Sequence, residues 1–384
     1  MPISRLPISK LFLVAIFGLL LCPATKVSAA DPASDRAEFD KTYAQFNDLL
    51  RQCKELQGRF SVTPPAQHAE LQRQFDELVH QGNEMRPKLK AQAEKVYLAN
   101  PRDEEISNLM FAMIIGSMRA DEYEEVLRIS KILIDNNYPR DELYNLAGTA
   151  AFFTSHFDEA EKYLNAAVAN KSIDEHGQEL LKEIPEYREK WARELKFRAA
   201  EAKADDMPRV KLTIGDAKGH VKGDVVVELF EDSAPNTVAS FVSLVDRQFY
   251  DGLKFHRVLA GFMAQVGDPK GDGSGGPGYQ LPEEFSPTNH PDHRDHFRGS
   301  LSMARSQSPD SAGSQFFICF APSRQLDDHY TVFGRVLEGM DLVTHIQRID
   351  PDHPSPVQPD RIIKAEVIRK RPHIYSPKKL PERG

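Results

Sequence analysis

The spacing of apolar residues changes once along this chain, and the change falls at Arg209. Before it, apolar positions recur at three and four; after it, they alternate. A period of 3.6 belongs to helices buried along one stripe and a period of 2 to strands buried on one face, so no single layer serves both halves. The 384 residues accommodate two domains at about 150 residues each. The first, over 31–206, is predicted to be all-α, and the second, over 207–371, strand-rich.

Within the first region, Phe39, Tyr43, Phe46, Leu49, Leu50, Cys53 and Leu56 outline one amphipathic helix, stopped by Thr63-Pro64-Pro65. A second runs from Leu71 to Tyr97 and is expected to kink or break at Pro87. An internal repeat follows. Leu109-Met110, Met113, Ser117, Tyr123, Val126, Ser130 and Leu133 return 34 positions later as Leu143-Tyr144, Ala147, Ala151, Phe157, Ala160, Leu164 and Ala167. A helix, a turn and a second helix at this period resemble the tetratricopeptide repeat, with the later copy the better match. Ala147, Gly148, Ala151 and Ala160 are small because paired helices approach closely there. A closing helix over 176–206, carrying the single tryptophan Trp191, leads into the linker Asp205-Asp206-Met207-Pro208.

In the second region Val210-Leu212-Ile214 and Val225-Val227-Leu229 alternate as strands around a Gly-rich turn, and helices are expected at 235–245 and 340–347. One stretch carries unusual chemistry. Arg257 sits inside a strand-like alternation, followed by the turn Ala260-Gly261 and then Phe262, Met263 and Gln265. Two antiparallel strands joined at that turn bring a cationic fork, an aromatic ring and a planar amide together. An arginine so placed either pairs with an acid or offers its donors to a ligand.

The blocks Phe255-His256-Arg257-Val258, Gly261-Phe262-Met263-x-Gln265-x-Gly267-Asp268, Gly299-x-Leu301-Ser302-Met303-Ala304 and Ser314-Gln315-Phe316-Phe317-Ile318 resemble the signature of the cyclophilin family of peptidyl-prolyl isomerases. The likeness covers about residues 209–371. It implies a closed β-barrel capped by two helices, following the tetratricopeptide-like domain, and an enzyme that isomerises X-Pro bonds without metal or cofactor. It also implies roles. Arg257 would donate to the prolyl amide, with Phe262 and Gln265 completing the catalytic set. Met263, Ala304, Arg305, Gln315, Phe317, Leu326 and Tyr330 would bind the substrate, Arg305 through its main chain in place of the usual asparagine. Gln325 stands where animal members carry a tryptophan, and Tyr330 where they carry the pocket histidine, which implies weak cyclosporin binding. The alternative is a non-catalytic client-binding chaperone or scaffold on the same fold.

The expected partners are proline-containing polypeptides, with other proteins held by the helical repeats. A net charge of -8 argues against a nucleic-acid binder. Residues 1–30 read as a secretory signal, since Arg5 and Lys10 precede an apolar run from Leu11 to Leu21 that ends near Val27-Ser28-Ala29-Ala30. The run is shorter than the roughly 20 residues of a membrane span. An exported product, periplasmic or extracellular, is expected. Cys53 and Cys319 lie in different predicted domains and are expected as buried thiols. His290, His293 and His296, interleaved with Asp292 and Asp295, share no face in their Pro-containing loop and are expected in solvent rather than on a metal. The basic tail 372–384 is expected to join no core, and the isomerase to draw no group from the first half.

Overall fold

The computed structural model describes residues 32–60, 62–353 and 356–381, so the expected export signal lies outside it. The chain divides into two compact units, one ending at Ala147 and one beginning at Gly148. The division falls inside a helix and well before the linker at 205–208. Among the described residues no helix is long and apolar enough to cross a membrane.

In the first unit, α1 (Pro32–Phe60) and α2 (His68–Ala99) pack through Cys53, Leu56, Leu71 and Phe75. Pro87 lies inside α2 without ending it. The apolar stripe Leu89, Ala93, Val96 and Tyr97 stays buried beyond the proline, and its packing outweighs the one lost amide donor. α3 (Glu104–Arg119) starts at Asp103, whose carboxylate accepts the Ile106 amide at 3.2 Å, a cap worth about 1 kcal/mol. α4 (Tyr123–Asp135) is tied to α2 by Arg128, which bonds Glu94 at 2.7 Å.

The predicted helix pairs are present. α5 (Glu142–Phe153) and α6 (Phe157–Ala169) follow α3 and α4. Asp121 and Ser155 both take positive φ, at 64° and 62°, and so do Asn137 and Lys171, at 57° and 64°. The backbone turns therefore repeat at the same 34-residue spacing as the side chains.

The second unit opens with the end of α5. A Cβ on Gly148 would stand 2.6 Å from a Leu164 side-chain carbon, which is the packing reason for a small residue there. α7 (Glu175–Ala204) is capped by Asp174, which accepts the Gly177 amide at 2.7 Å, and ends at Asp205 in the left-handed region. The linker is not loose. Arg369 holds Asp205 at 2.6 Å, Arg371 holds Asp206 at 3.0 Å, and Met207 is buried.

Eight strands follow: β1 (Arg209–Gly215), β2 (Val221–Leu229), β3 (Arg257–Leu259), β4 (Met263–Val266), β5 (Ser300–Met303), β6 (Phe316–Cys319), β7 (Val332–Glu338) and β8 (Arg361–Arg369). They form one sheet in the order β3-β4-β6-β5-β7-β2-β1-β8, with antiparallel pairing. The helices α8 (Pro235–Asp246) and α9 (Met340–Thr344) accompany it. Phe241 of α8 meets Phe316 of β6 at 5.3 Å and Phe333 of β7 at 5.2 Å, so the sheet curls around one core. Its edge strands share no ladder. The segment before β3 instead meets the start of β8 through Gly252 N–H to Ile362 O (2.7 Å) and Phe255 N–H to Asp360 O (2.9 Å). Where a closed barrel was expected, the structure gives a curled sheet with a short seam.

The tail departs from expectation. Leu380 and Gln280 exchange backbone hydrogen bonds at 2.8 and 3.0 Å, Tyr375 donates to Glu231 at 2.8 Å, and Lys378 N–H donates to Asn236 at 2.6 Å. Its polar residues find partners on the sheet domain, and Tyr375 packs against the core of that domain, so polar and apolar contacts together dock it. Cys53 and Cys319 are buried free thiols.

Candidate active site

The alternation around Arg257 produces the predicted hairpin of β3 and β4, with Gly261 at φ 71° in its turn, a conformation open to glycine at little cost. Arg257 faces Gln265 across this ladder, and Gln265 faces Phe317 of β6. Directly opposed residues of antiparallel strands project to the same face. Register alone thus assembles Arg257, Gln265 and Phe317.

The Arg257 guanidinium lies 5.9 Å from the centre of the Phe262 ring. Among the described residues it pairs with no acid, so the ion-pair explanation of this arginine finds no partner. Burial lowers the pKa of the neighbouring His256, which favours a neutral ring beside it.

Gln265 is held from the side. Its Nε2 donates to Gln315 Oε1 at 2.9 Å, and Gln315 Nε2 donates to the carbonyls of Gly273 and Gly275, both at 2.9 Å. The Gly-rich loop at 271–278 is shaped by Asp268, which accepts the amides of Lys270 (2.8 Å), Asp272 (3.0 Å) and Gly273 (2.5 Å). Burial works to raise the Asp268 pKa, but these backbone donors outweigh it and hold the carboxyl below the usual range. Gly267, at φ 95°, lets the Ser314 carbonyl approach where any Cβ would overlap it.

The apolar part forms its own cluster. Met263, Phe317, Cys319 and Leu326 are buried together, with Phe262, Ala304 and Tyr330 packed against them. The rings of Phe317 and Tyr330 meet edge-on at 6.0 Å and 76°. Arg305 lies over Tyr330 at 4.6 Å and donates Nε to His329 O at 2.7 Å, so its side chain folds onto its own loop. Ala304 N–H donates to Gln315 O at 2.9 Å. Every site residue singled out in the sequence therefore falls in one neighbourhood, where planar donors border an apolar wall. Such a surface suits an apolar ring whose attached amide needs a hydrogen bond. Gln325 is exposed one residue before Leu326.

One layer was not anticipated. His296, expected in solvent, is fully buried behind Phe317, its ring parallel to the phenyl at 6.1 Å and 10°. Its Nδ1 meets Asp327 at 2.9 Å and its Nε2 meets Ser302 Oγ at 2.9 Å. His293 is also buried and reaches Asp328 at 2.8 Å. The loop folds inward because each imidazole finds a carboxylate from the segment 327–328, pairing that histidine spacing alone does not reveal. No group of His, Cys, Asp and Glu among the described residues is arranged to hold a metal ion.

Residues 209–367 match the family model described as cyclophilin type peptidyl-prolyl cis-trans isomerase/CLD. The chain is 45% identical over 131 residues to a peptidyl-prolyl cis-trans isomerase of Helicobacter pylori, covering 34% of this chain and 77% of that one. It is 49% identical over 114 residues to one of Synechococcus elongatus, covering 30% and 74%. A solved cyclophilin-type isomerase of Cryptosporidium parvum is 28% identical, covering 43% of this chain and 99% of that one, with a TM-score of 0.37.

Proposed function

This chain belongs to the cyclophilin-type peptidyl-prolyl cis-trans isomerases, and from that premise we propose that it turns over X-Pro bonds on the Arg257 face of the curled sheet. The prolyl amide resists rotation by about 18–20 kcal/mol because its nitrogen is conjugated with the carbonyl. Conjugation is lost when the nitrogen becomes pyramidal, and a donor aimed at that lone pair stabilises the twisted state more than either planar one. Arg257 is that donor. Phe262, Met263, Phe317 and Leu326 take the proline ring and exclude water, which strengthens the donor's effect. Gln265, steadied by Gln315, sets the substrate backbone beside Arg257, and Ala304, Arg305 and Tyr330 form the rim that flanking residues cross.

The observation that carries this reading is an arginine without an acid partner among the described residues, placed beside an apolar cluster separate from the main core. Arg257→Ala in the full chain is expected to lower kcat/KM on a short X-Pro peptide by about 100-fold or more, as loss of a transition-state donor commonly does. Retention of most activity with an unchanged melting curve overturns the assignment.

The proposal extends to the substrates. The protein acts on exported proteins, as the leader-like start of the sequence suggests, and α3 to α6 are two tetratricopeptide-like repeats that hold client segments. The backbone turns that recur at the 34-residue spacing support the repeat reading. The seam between β3 and β8 is read as closing the sheet into a barrel. Deleting residues 33–173, which leaves α7 whole, is expected to preserve peptide turnover and to slow proline-limited refolding of a protein substrate. Equal retention on both substrates would remove the client-binding role.

A further inference from the structure

α7 does more than end the helical region. Its residues Glu186, Lys190, Arg193, Glu194 and Glu201 follow a helical spacing and meet charged groups of the sheet domain. Arg294, whose side chain is 1% exposed, receives Glu194 at 2.8 Å and Glu201 at 2.6 Å. Trp191 packs on Phe297 at 4.8 Å. These contacts anchor the helix, and its other charges bear on the segments that carry the apolar wall.

Leu326 stands between two of them. Arg324, two residues before it, bonds Glu186 at 3.0 Å, and Asp327, the residue after it, bonds Lys190 at 2.7 Å. Asp327 also accepts the backbone amide of His296 at 2.8 Å and meets its ring at 2.9 Å. That ring lies parallel to Phe317 and bonds Ser302, which faces Phe317 across the β5–β6 ladder. From Lys190, then, a series of contacts through Asp327 reaches two walls of the pocket, Leu326 as the residue next to Asp327 in the chain and Phe317 through His296.

Charge explains why the series is tense. Asp295 and Asp327, each with a side chain 4% exposed, share Lys190, which stands 3.8 Å from the first and 2.7 Å from the second. Arg193 supplies a second cation to Asp295 at 2.6 Å. Two buried carboxylates that repel each other are held in place by two cations from one helix, Lys190 and Arg193. Removing Lys190 leaves Asp327 with only the amide and ring of His296, and a buried charge deprived of its cation moves or draws in water.

We propose that Lys190 is a positioning residue of the isomerase: acting through Asp327 and His296, it fixes the Leu326 and Phe317 walls of the proline pocket, so that α7 is a working part of the catalytic domain. The inference rests on the assignment of those walls to the proline ring.

The test uses the full chain and three variants. Lys190→Met keeps the stem and removes the charge, Lys190→Arg restores a cation, and Arg188→Ala breaks the contacts of the same helix with Asp158 and Glu161 on α6. For each, kcat/KM on an X-Pro peptide, the melting midpoint and amide exchange over 324–331 are measured. A pocket wall out of place by a fraction of an ångström is expected to cost Lys190→Met about five- to tenfold in kcat/KM. Faster exchange over 324–331 should accompany that loss. Lys190→Arg should recover activity to within about a factor of two, by the same argument from placement, and Arg188→Ala should lower the midpoint without changing kcat/KM. Wild-type activity in folded Lys190→Met overturns the proposal, as does an equal loss in Arg188→Ala, which would mean that α7 acts only through stability. If Arg257→Ala also keeps its activity, the pocket assignment has failed; if Arg257→Ala is inactive while Lys190→Met is normal, only the positioning role has.

Discussion

Arg257 and Arg294 are arginines of the same domain in opposite circumstances. Arg294 is buried, receives two carboxylates and is covered by the rings of Phe230 at 3.9 Å and Phe197 at 4.4 Å. Arg257 is half-buried, touches one ring and meets no acid among the described residues. Each guanidinium nitrogen of the first donates to a carboxylate within the protein; the second has donors to offer. Fold and chemistry are thus separated by what surrounds a side chain rather than by its type, and the two sites should respond differently to the same change.

The largest expected contrast lies between activity and stability. Arg257→Ala should lose turnover as stated above while melting like the parent, because no buried partner is left behind. Arg294→Met should do the reverse. It takes a buried cation from both Glu194 and Glu201, and removal of one member of a buried pair costs about 3–5 kcal/mol. Arg198, 2.8 Å from Glu194, and Arg335, 3.2 Å from Glu201, offset part of this, so chemical denaturation is expected to show a loss near the lower end. A variant that loses both properties together, or neither, would break the comparison.

A smaller effect sharpens it. A chain begun at Met207 lacks α7 and uncovers Arg294, whereas one begun at Asp174 keeps the helix and its cap. The shorter chain should melt lower and turn over a short peptide about five- to tenfold more slowly, the same cost of misplacement as for Lys190→Met; equal activity in the two would return the isomerase to the self-sufficient unit expected from sequence.

The smallest effect is on pH. Burial works to raise the Glu194 pKa, but Arg294 and Arg198 outweigh it and hold the carboxyl below the usual range; Asp327 is likewise held low against burial by His296 and Lys190. Folded pKa values below the unfolded ones mean that stability is present above the unfolded carboxylate range, about 4, and is lost as pH falls through the folded values. Asp295 runs the other way, since burial and Asp327 raise its pKa and its contribution fades as pH rises. With two groups against one, thermal melts should show net loss on acidification below about pH 4. Arg294→Met should flatten that dependence and Arg257→Ala should leave it unchanged.

The sequence was most informative where side-chain period and turn chemistry agree. Alternation around Arg257 and a turn glycine at 261 were enough to place the hairpin, because register fixes which residues share a face, whereas Phe317 and the pocket entered only through the resemblance to the cyclophilins. The repeat was visible for the same reason, although its period shows neither which partner nor which unit a helix joins. The layer behind the pocket was not visible. Lys190, Glu194 and Glu201 recur as charges on a solvated helix do, and nothing local tells a charge facing water from one facing Arg294 or Asp327 a hundred residues away. His296 was misplaced because its partner Asp327 lies in another segment. The tail was misjudged because one aromatic residue, Tyr375, packs on the core and hydrogen bonds to distant segments hold the rest, which a basic, Pro-rich composition does not reveal.

The two anchorages of α7 also constrain its length. Lys190 must face Asp327 while Glu201, eleven residues on, faces Arg294. One residue inserted between them would turn one end about 100° relative to the other, and both grips could not then be kept. Substitutions along this stretch leave its phase intact, but a single-residue insertion or deletion does not. α7 can therefore vary in sequence far more freely than in length, as a key can be plated but not filed.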